Sequence, residues 1–199
     1  MIRNIWAVGR NYAEHAKELG NAVPSKDSST PLFFLKAGSC ATFSQKEMNL
    51  PEGTNELHHE VELCLQFDDK LEIKKACLAI DLTDRAKQNT LKAAGHPWTL
   101  AKSFKEACPL SDFFPVTNLA DLQNVELRLS VNGELRQSGS TKDMIFNIPT
   151  LIAYTLKNFP VEPGDLLLTG TPSGVGPLKK GDQVSAEIVG KVAHSWVVK

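Results

Sequence analysis

The run His58-His59-Glu60-Val61-Glu62-Leu63-Cys64-Leu65-Gln66-Phe67 constrains the fold most. Its alternation suits an extended strand, in which successive side chains point to opposite faces. His59, Val61, Leu63, Leu65 and Phe67 form a mostly apolar face expected to pack into a core. His58, Glu60, Glu62, Cys64 and Gln66 form the other. Glu60 and Glu62 are then neighbours, roughly 7 Å apart along the strand. Two like charges that close repel unless both are well solvated or share a cation. A solvated strand face is the commoner reason for a Glu-x-Glu, so the rest of the chain has to decide.

A second apolar run, Cys77 to Ile80, ends at Asp81. A helical stretch follows from about Thr83 to Ala94, closed by Gly95 and Pro97. An aspartate at such a junction is usually a helix cap. It is also where a third carboxylate could join Glu60 and Glu62 around an ion. Three carboxylates without His or Cys ligand spacing suit a hard cation, Mg²⁺ or Mn²⁺, and not Zn²⁺.

With 199 residues the chain is long enough for one substantial core. Its 22 Lys plus Arg nearly balance 23 Asp plus Glu, so no global field draws it to nucleic acid or to a membrane surface. No apolar run reaches membrane-spanning length. No secretory leader or transit-peptide pattern opens the chain, although a processed form would look the same. Cys40, Cys64, Cys77 and Cys108 lack CxxC spacing and read as reduced core residues of a cytoplasmic protein.

Asn11 to Leu19 has helical composition, with Asn11 as its cap and Gly20 as its stop. Ala22 to Pro31 reads as a loop, Leu32 to Lys36 as a short strand, and Asp68-Asp69 as a turn. The second half is mostly β. Val125, Leu127, Leu129 and Val131 alternate with polar residues ahead of the hairpin signal Asn132-Gly133. Pro149 starts a helix to about Asn158, Pro163-Gly164-Asp165 turns into Leu166–Thr169, and two last strands cover 183–189 and 191–198. Many short strands with few helices predict an α+β fold on a curved or rolled sheet.

Six segments occur in order along the chain: Val8-Gly9-Arg10-Asn11-Tyr12-Ala13-Glu14-His15, His58-His59-Glu60-Val61-Glu62-Leu63, Pro97-Trp98-Thr99-Leu100-Ala101-Lys102-Ser103-Phe104, Val131-Asn132-Gly133-Glu134, Leu168-Thr169-Gly170-Thr171-Pro172 and Gly174-Val175-Gly176-Pro177. Together they resemble the fumarylacetoacetate hydrolase family, and within it the short acylpyruvate hydrolases and oxaloacetate decarboxylases. The resemblance spans nearly the whole chain. It implies a mixed β-roll, residues 1–199 forming one catalytic domain whose first 30 residues carry a lid-like helix, and a homodimer. It implies Mg²⁺ (or Mn²⁺) held by Glu60, Glu62 and Asp81, and a His15–Glu18 pair over a small 2-oxo acid substrate. Lys102 is implied as catalytic, and Arg10, Arg85, Gln88 and Thr171 as substrate-binding.

The residues themselves agree for His15 and Glu18, which are three apart and so share a helix face. A carboxylate beside an imidazole raises its basicity and fixes its tautomer. Lys102 has apolar flanks that favour a partly buried ammonium, and Thr171 sits in a turn that offers hydroxyl and N–H groups to an anion. His59 is expected on the packed face and His58 beside the site. His96 and His194 carry no motif.

The chain departs from this pattern in two places. Relatives carry a longer connection than 67–77 and read Thr-Ala-Arg-Asp where this chain has Thr83-Asp84-Arg85-Ala86. The expectation is a folded protein in which Asp81 is less well placed and the metal more weakly held. The activity expected is hydrolysis of the C–C bond of acylpyruvates to pyruvate and a carboxylic acid. Oxaloacetate decarboxylation or keto–enol tautomerisation on the same site is the alternative. A non-catalytic family member is the alternative of another class, and no phosphate motif supports phosphoryl transfer.

Overall fold

The computed structural model describes every residue except Met1, Asp27, Ser44 and Asn55. Its centre is a mixed sheet of eight strands, in the order Leu32–Ala37, Asn4–Gly9, Leu166–Leu168, Val61–Phe67, Ile73–Ile80, Cys108–Leu110, Ala41–Phe43, with Phe114–Pro115 added beside Ile73–Ile80. Two of its pairings are parallel, Asn4–Gly9 with Leu166–Leu168 and Ala41–Phe43 with Cys108–Leu110. A second sheet is ordered Glu134–Ser140, Glu126–Val131, Gln183–Ile188, Val192–Val198, Glu47–Met48. With a few short helices, this is the expected α+β class.

The alternation of 59–67 governs how the sheets meet. Val61, Leu63, Leu65 and Phe67 are fully buried in one cluster with Leu127, Leu129, Val184, Ile188 and Trp196 of the second sheet. The opposite face is buried too. Cys64 packs there with Ile5, Ala7, Cys77, Ala79, Cys108, Leu166 and Leu168. A strand covered on both faces gives up the solvated face that a Glu-x-Glu usually occupies, so Glu62 enters the interior with Cys64. All four cysteines are buried free thiols.

The chain does not run straight through the Glu-x-Glu. Leu57–His59 belongs to a small three-stranded sheet with Gly176–Pro177 and Thr83–Asp84, while Val61–Phe67 belongs to the central one. Glu60 is the joint between them. The hairpin at Asn132-Gly133 is as expected, with φ of 53° and 80° that match a type I′ turn.

Helix boundaries correct two cap readings. The first helix is Ala13–Glu18, and Asn11 does not cap it. Asn11 is instead a buried staple: its amide donates to the Phe146 and Thr169 carbonyls and its oxygen accepts from Phe146 N. The helix Arg85–Ala93 is capped by Asp84, which accepts from Lys87 N. That leaves Asp81 free for other work. The helix Ile148–Asn158 is capped by Asn147 and carries Pro149 in its first turn. No helix among the described residues is long and apolar enough to cross a membrane.

Candidate active site

The connection 67–77 is a tight hairpin. Asp68 Oδ1 accepts from Lys70 N and Glu72 N, and Leu71 N closes onto Asp68 O. Past a register shift at Gln66/Phe67 beside that turn, the antiparallel ladder runs unbroken, Cys64 opposite Cys77, Glu62 opposite Ala79, Val61 opposite Ile80. It ends with Asp81 N donating to Glu60 O at 2.8 Å. Asp81 is therefore placed by pairing with the Glu-x-Glu strand. One carboxylate oxygen each from Glu60, Glu62 and Asp81 lies within 4.8 Å of the others, and all three residues are buried.

Cations from three elements meet this cluster. Lys102, at the end of the short helix Thr99–Lys102, is only 2% exposed and donates to Glu60 Oε2 at 2.7 Å and Asp81 Oδ2 at 2.5 Å. Arg85 ion-pairs with Glu60 and donates to Gln88 Oε1 at 2.6 Å. Lys36, from the strand Leu32–Ala37, donates to Asp81 Oδ1 at 2.6 Å and to Leu82 O at 3.2 Å. Lys36 is absent from the sequence-derived site. Its only signal is a lysine directly after the apolar run Leu32-Phe33-Phe34-Leu35, which looks the same on a solvated edge strand.

These pairings split the carboxylates. Burial opposes ionisation of Glu60, but Lys102 and Arg85 outweigh it and hold its carboxyl far below the usual range. Glu62 has no cation in contact among the described residues. Burial, reinforced by the Asp81 and Glu60 charges, pushes it well above the usual range, against the pull of Lys102 and of Gly170 N, which donates to Glu62 Oε2 at 2.6 Å. Gly170 allows this approach because its φ is 99° and a Cβ there would lie 2.8 Å from Asn11 Cβ. The donor set is all oxygen, buried, and carries one carboxylate that lacks a cation. Those features fit a hard divalent cation.

A narrow cleft opens onto this cluster, and Arg10, His15, Glu60, Glu62, Arg85, Gln88, Lys102 and Thr171 all line it. His15 is 5% exposed, and burial lowers its imidazole below the usual value despite the Glu60 and Glu18 charges. It is thus a neutral base at neutral pH. Its Nδ1 is 3.3 Å from Glu18 Oε2, and the other Glu18 oxygen accepts from Gly174 N at 3.0 Å, tying the helix to the loop that follows Pro172. Thr171 Oγ accepts from Gln137 Nε2 at 2.8 Å. The sequence reading omitted Gln137, whose oxygen also meets His59 Nδ1 and accepts from Val61 N. His59 is buried as expected. His58 contacts Glu56 at 2.9 Å and none of the three carboxylates. His194 contacts the Gln45 carbonyl and lies against Trp196.

The family profile described as fumarylacetoacetate (FAA) hydrolase C-terminal matches residues 4–197. The mitochondrial oxaloacetate decarboxylase of Dictyostelium discoideum is 44% identical, over 94% of this chain and 89% of that protein. The oxaloacetate tautomerase YcgM of Escherichia coli is 42% identical, over 95% and 90%. Among solved structures, fumarylpyruvate hydrolase from Pseudomonas aeruginosa in complex with Mn²⁺ and pyruvate superposes with a TM-score of 0.91 at 27% identity, covering 99% of this chain and 89% of that one. The chain belongs to the fumarylacetoacetate hydrolase family.

Proposed function

We propose that this chain interconverts the keto and enol forms of oxaloacetate. The observation that carries the reading is the meeting, in one cleft, of a buried neutral His15 with the three-carboxylate cluster and Lys102. The relatives named for oxaloacetate, at 42 and 44% identity, shift the weight to this substrate from the acylpyruvate first expected. Glu60, Glu62 and Asp81 would hold Mg²⁺ or Mn²⁺. When bound there, such an ion supplies Lewis acidity towards the 2-oxo and carboxylate oxygens of the substrate.

The chain's own residues do the rest. His15 takes a proton from the carbon next to the 2-oxo group, and Glu18 fixes the ring tautomer and stabilises the imidazolium that results. Lys102 spends two N–H donors on Glu60 and Asp81, which leaves one for the oxygen where negative charge develops. Arg85 and Gln88, joined to each other, present a planar donor pair to the substrate carboxylate. Returning the proton to oxygen completes the exchange. Burial of the four thiols suits a reducing compartment such as the cytoplasm.

The same base can deprotonate water, so acylpyruvate hydrolysis is the second reading. The resemblance to a fumarylpyruvate hydrolase supports it. The test follows enol–keto exchange of oxaloacetate, its decarboxylation, and pyruvate release from acetylpyruvate with one Mg²⁺-loaded preparation. Enol–keto exchange should be fastest. Pyruvate release from acetylpyruvate as the dominant activity would replace this reading with the second.

A further inference from the structure

The cleft carries two cations that the carboxylate cluster does not use. Lys102, Arg85 and Lys36 are already paired with Glu60 and Asp81. Arg10 and Lys92 line the same cleft, and neither has a carboxylate partner among the described residues. Lys92 follows Gln88 by four positions and Arg85 by seven on the helix Arg85–Ala93, so the three share a face. Its Nζ stands over the Trp98 ring, 5.1 Å from the centroid. The ring holds the ammonium without neutralising it. Arg10 adopts a left-handed backbone, φ 59°, between Gly9 and the anchored Asn11. Its buried Nε has no hydrogen-bond partner. A non-glycine residue held in that region signals a conformation imposed by its surroundings.

We propose that Lys92 and Arg10 receive a second, distal carboxylate, so that the site selects dicarboxylic 2-oxo acids of four or five carbons over their monocarboxylic counterparts. The proposal deepens the reading given above and rests on it for where the 2-oxo end of the substrate lies. Two cations that line the cleft without a carboxylate partner among the described residues complement a dianion and leave a neutral acyl tail unrewarded. Burial, together with the Arg10, Arg85 and Lys102 charges, lowers the Lys92 ammonium to about 8, with only Glu60 opposing. That is the condition of a cation held among cations, which a bound carboxylate relieves.

The test is calorimetric binding of 2-oxoglutarate and 2-oxopentanoate, which differ only in a terminal carboxylate against a methyl group, to Mg²⁺-loaded protein at neutral pH. The parent should bind 2-oxoglutarate about ten-fold tighter, the scale of one well-placed charged contact. Lys92→Gln should bring the two affinities together by weakening 2-oxoglutarate alone, and Lys92→Arg should restore most of the difference. Lys92 is half-buried on a helix surface, so both variants should fold. Equal affinities in the parent, no measurable binding of 2-oxoglutarate, or an equal loss for both ligands in Lys92→Gln would overturn the proposal. Turnover of oxaloacetate by the same preparation reports separately on the catalytic reading. Discrimination without turnover would sink that reading and leave this one standing.

Discussion

Lys36 Nζ lies 2.6 Å from Asp81 Oδ1, with both side chains fully buried. Neither charge has access to water, so each depends on the other and on Lys102, which holds the second Asp81 oxygen. Removing one member of a buried ion pair leaves the other uncompensated, a loss of roughly 3–5 kcal/mol. Lys36→Met should therefore lower the stability of the metal-free protein by about 3 kcal/mol in denaturant titration. Added Mg²⁺ should recover part of that loss, because it offers Asp81 a replacement cation. An unchanged unfolding midpoint would show that Lys36 is dispensable.

Glu62 ties metal binding to pH. Its carboxyl sits well above the ordinary glutamate value of 4.5 when no cation touches it. A raised folded-state pKa contributes stability that is present below 4.5 and disappears as pH rises through the folded value. The metal-free protein should thus lose stability with rising pH across that window, and Glu62→Gln should remove this slope. Metal binding requires the ionised form, so each Mg²⁺ bound should release about one proton in the pH range where Glu62 is protonated. Calorimetry in buffers of different ionisation enthalpy measures this. No proton release, or metal binding at full strength in Glu62→Gln, would contradict the assignment of Glu62 as a ligand.

His15 should set the acid limb of activity. Burial lowers its pKa from 6.5, and a base acts only when neutral, so turnover should be flat through neutral pH and fall only below the ordinary imidazole range. His15→Ala should cut turnover by about 10²-fold or more while metal affinity stays the same. Glu18→Gln should lower turnover less and move the acid limb further down, since Glu18 supports the charged imidazole. An acid limb that stays in place in His15→Ala would assign it to another group.

Much of this site is legible in the sequence because its signals are local. His15 and Glu18 declare themselves by a three-residue spacing, Asp81 by ending an apolar run, and Lys102 by its apolar flanks. Lys36 is illegible because the reason for its burial, Asp81, lies 45 residues away. The Asn11 cap reading fails for a related reason. The local pattern of a polar residue before a helical segment is genuine, but the amide finds three buried backbone partners around Phe146 and Thr169 and is drawn inward. Glu60 and Glu62 read as one strand face, yet the chain changes sheets at Glu60. The carboxylates converge there because Arg85 and Lys102 hold Glu60 while the main ladder carries Glu62.

The short connection between Phe67 and Cys77 is where the sequence predicted weakness, and the ladder changes that expectation. Asp81 takes its position from pairing with residues 60–66, and the turn at the far end has only to close the hairpin. Lengthening a loop costs entropy slowly, about 0.6 kcal/mol for each doubling. Inserting a Gly/Ser segment of about eight residues between Asp69 and Lys70 should thus lower stability by about 1 kcal/mol. Mg²⁺ affinity should stay within about two-fold of the parent, because a register-set ligand does not feel the loop. Asp68→Ala should behave alike, since it removes the acceptor for Lys70 N and Glu72 N and costs about 1 kcal/mol without reaching the cluster. Calorimetric Mg²⁺ titration and urea unfolding of both variants provide the check. If either change alters metal affinity by about ten-fold or more, the turn does govern Asp81, and the register account of its placement is wrong.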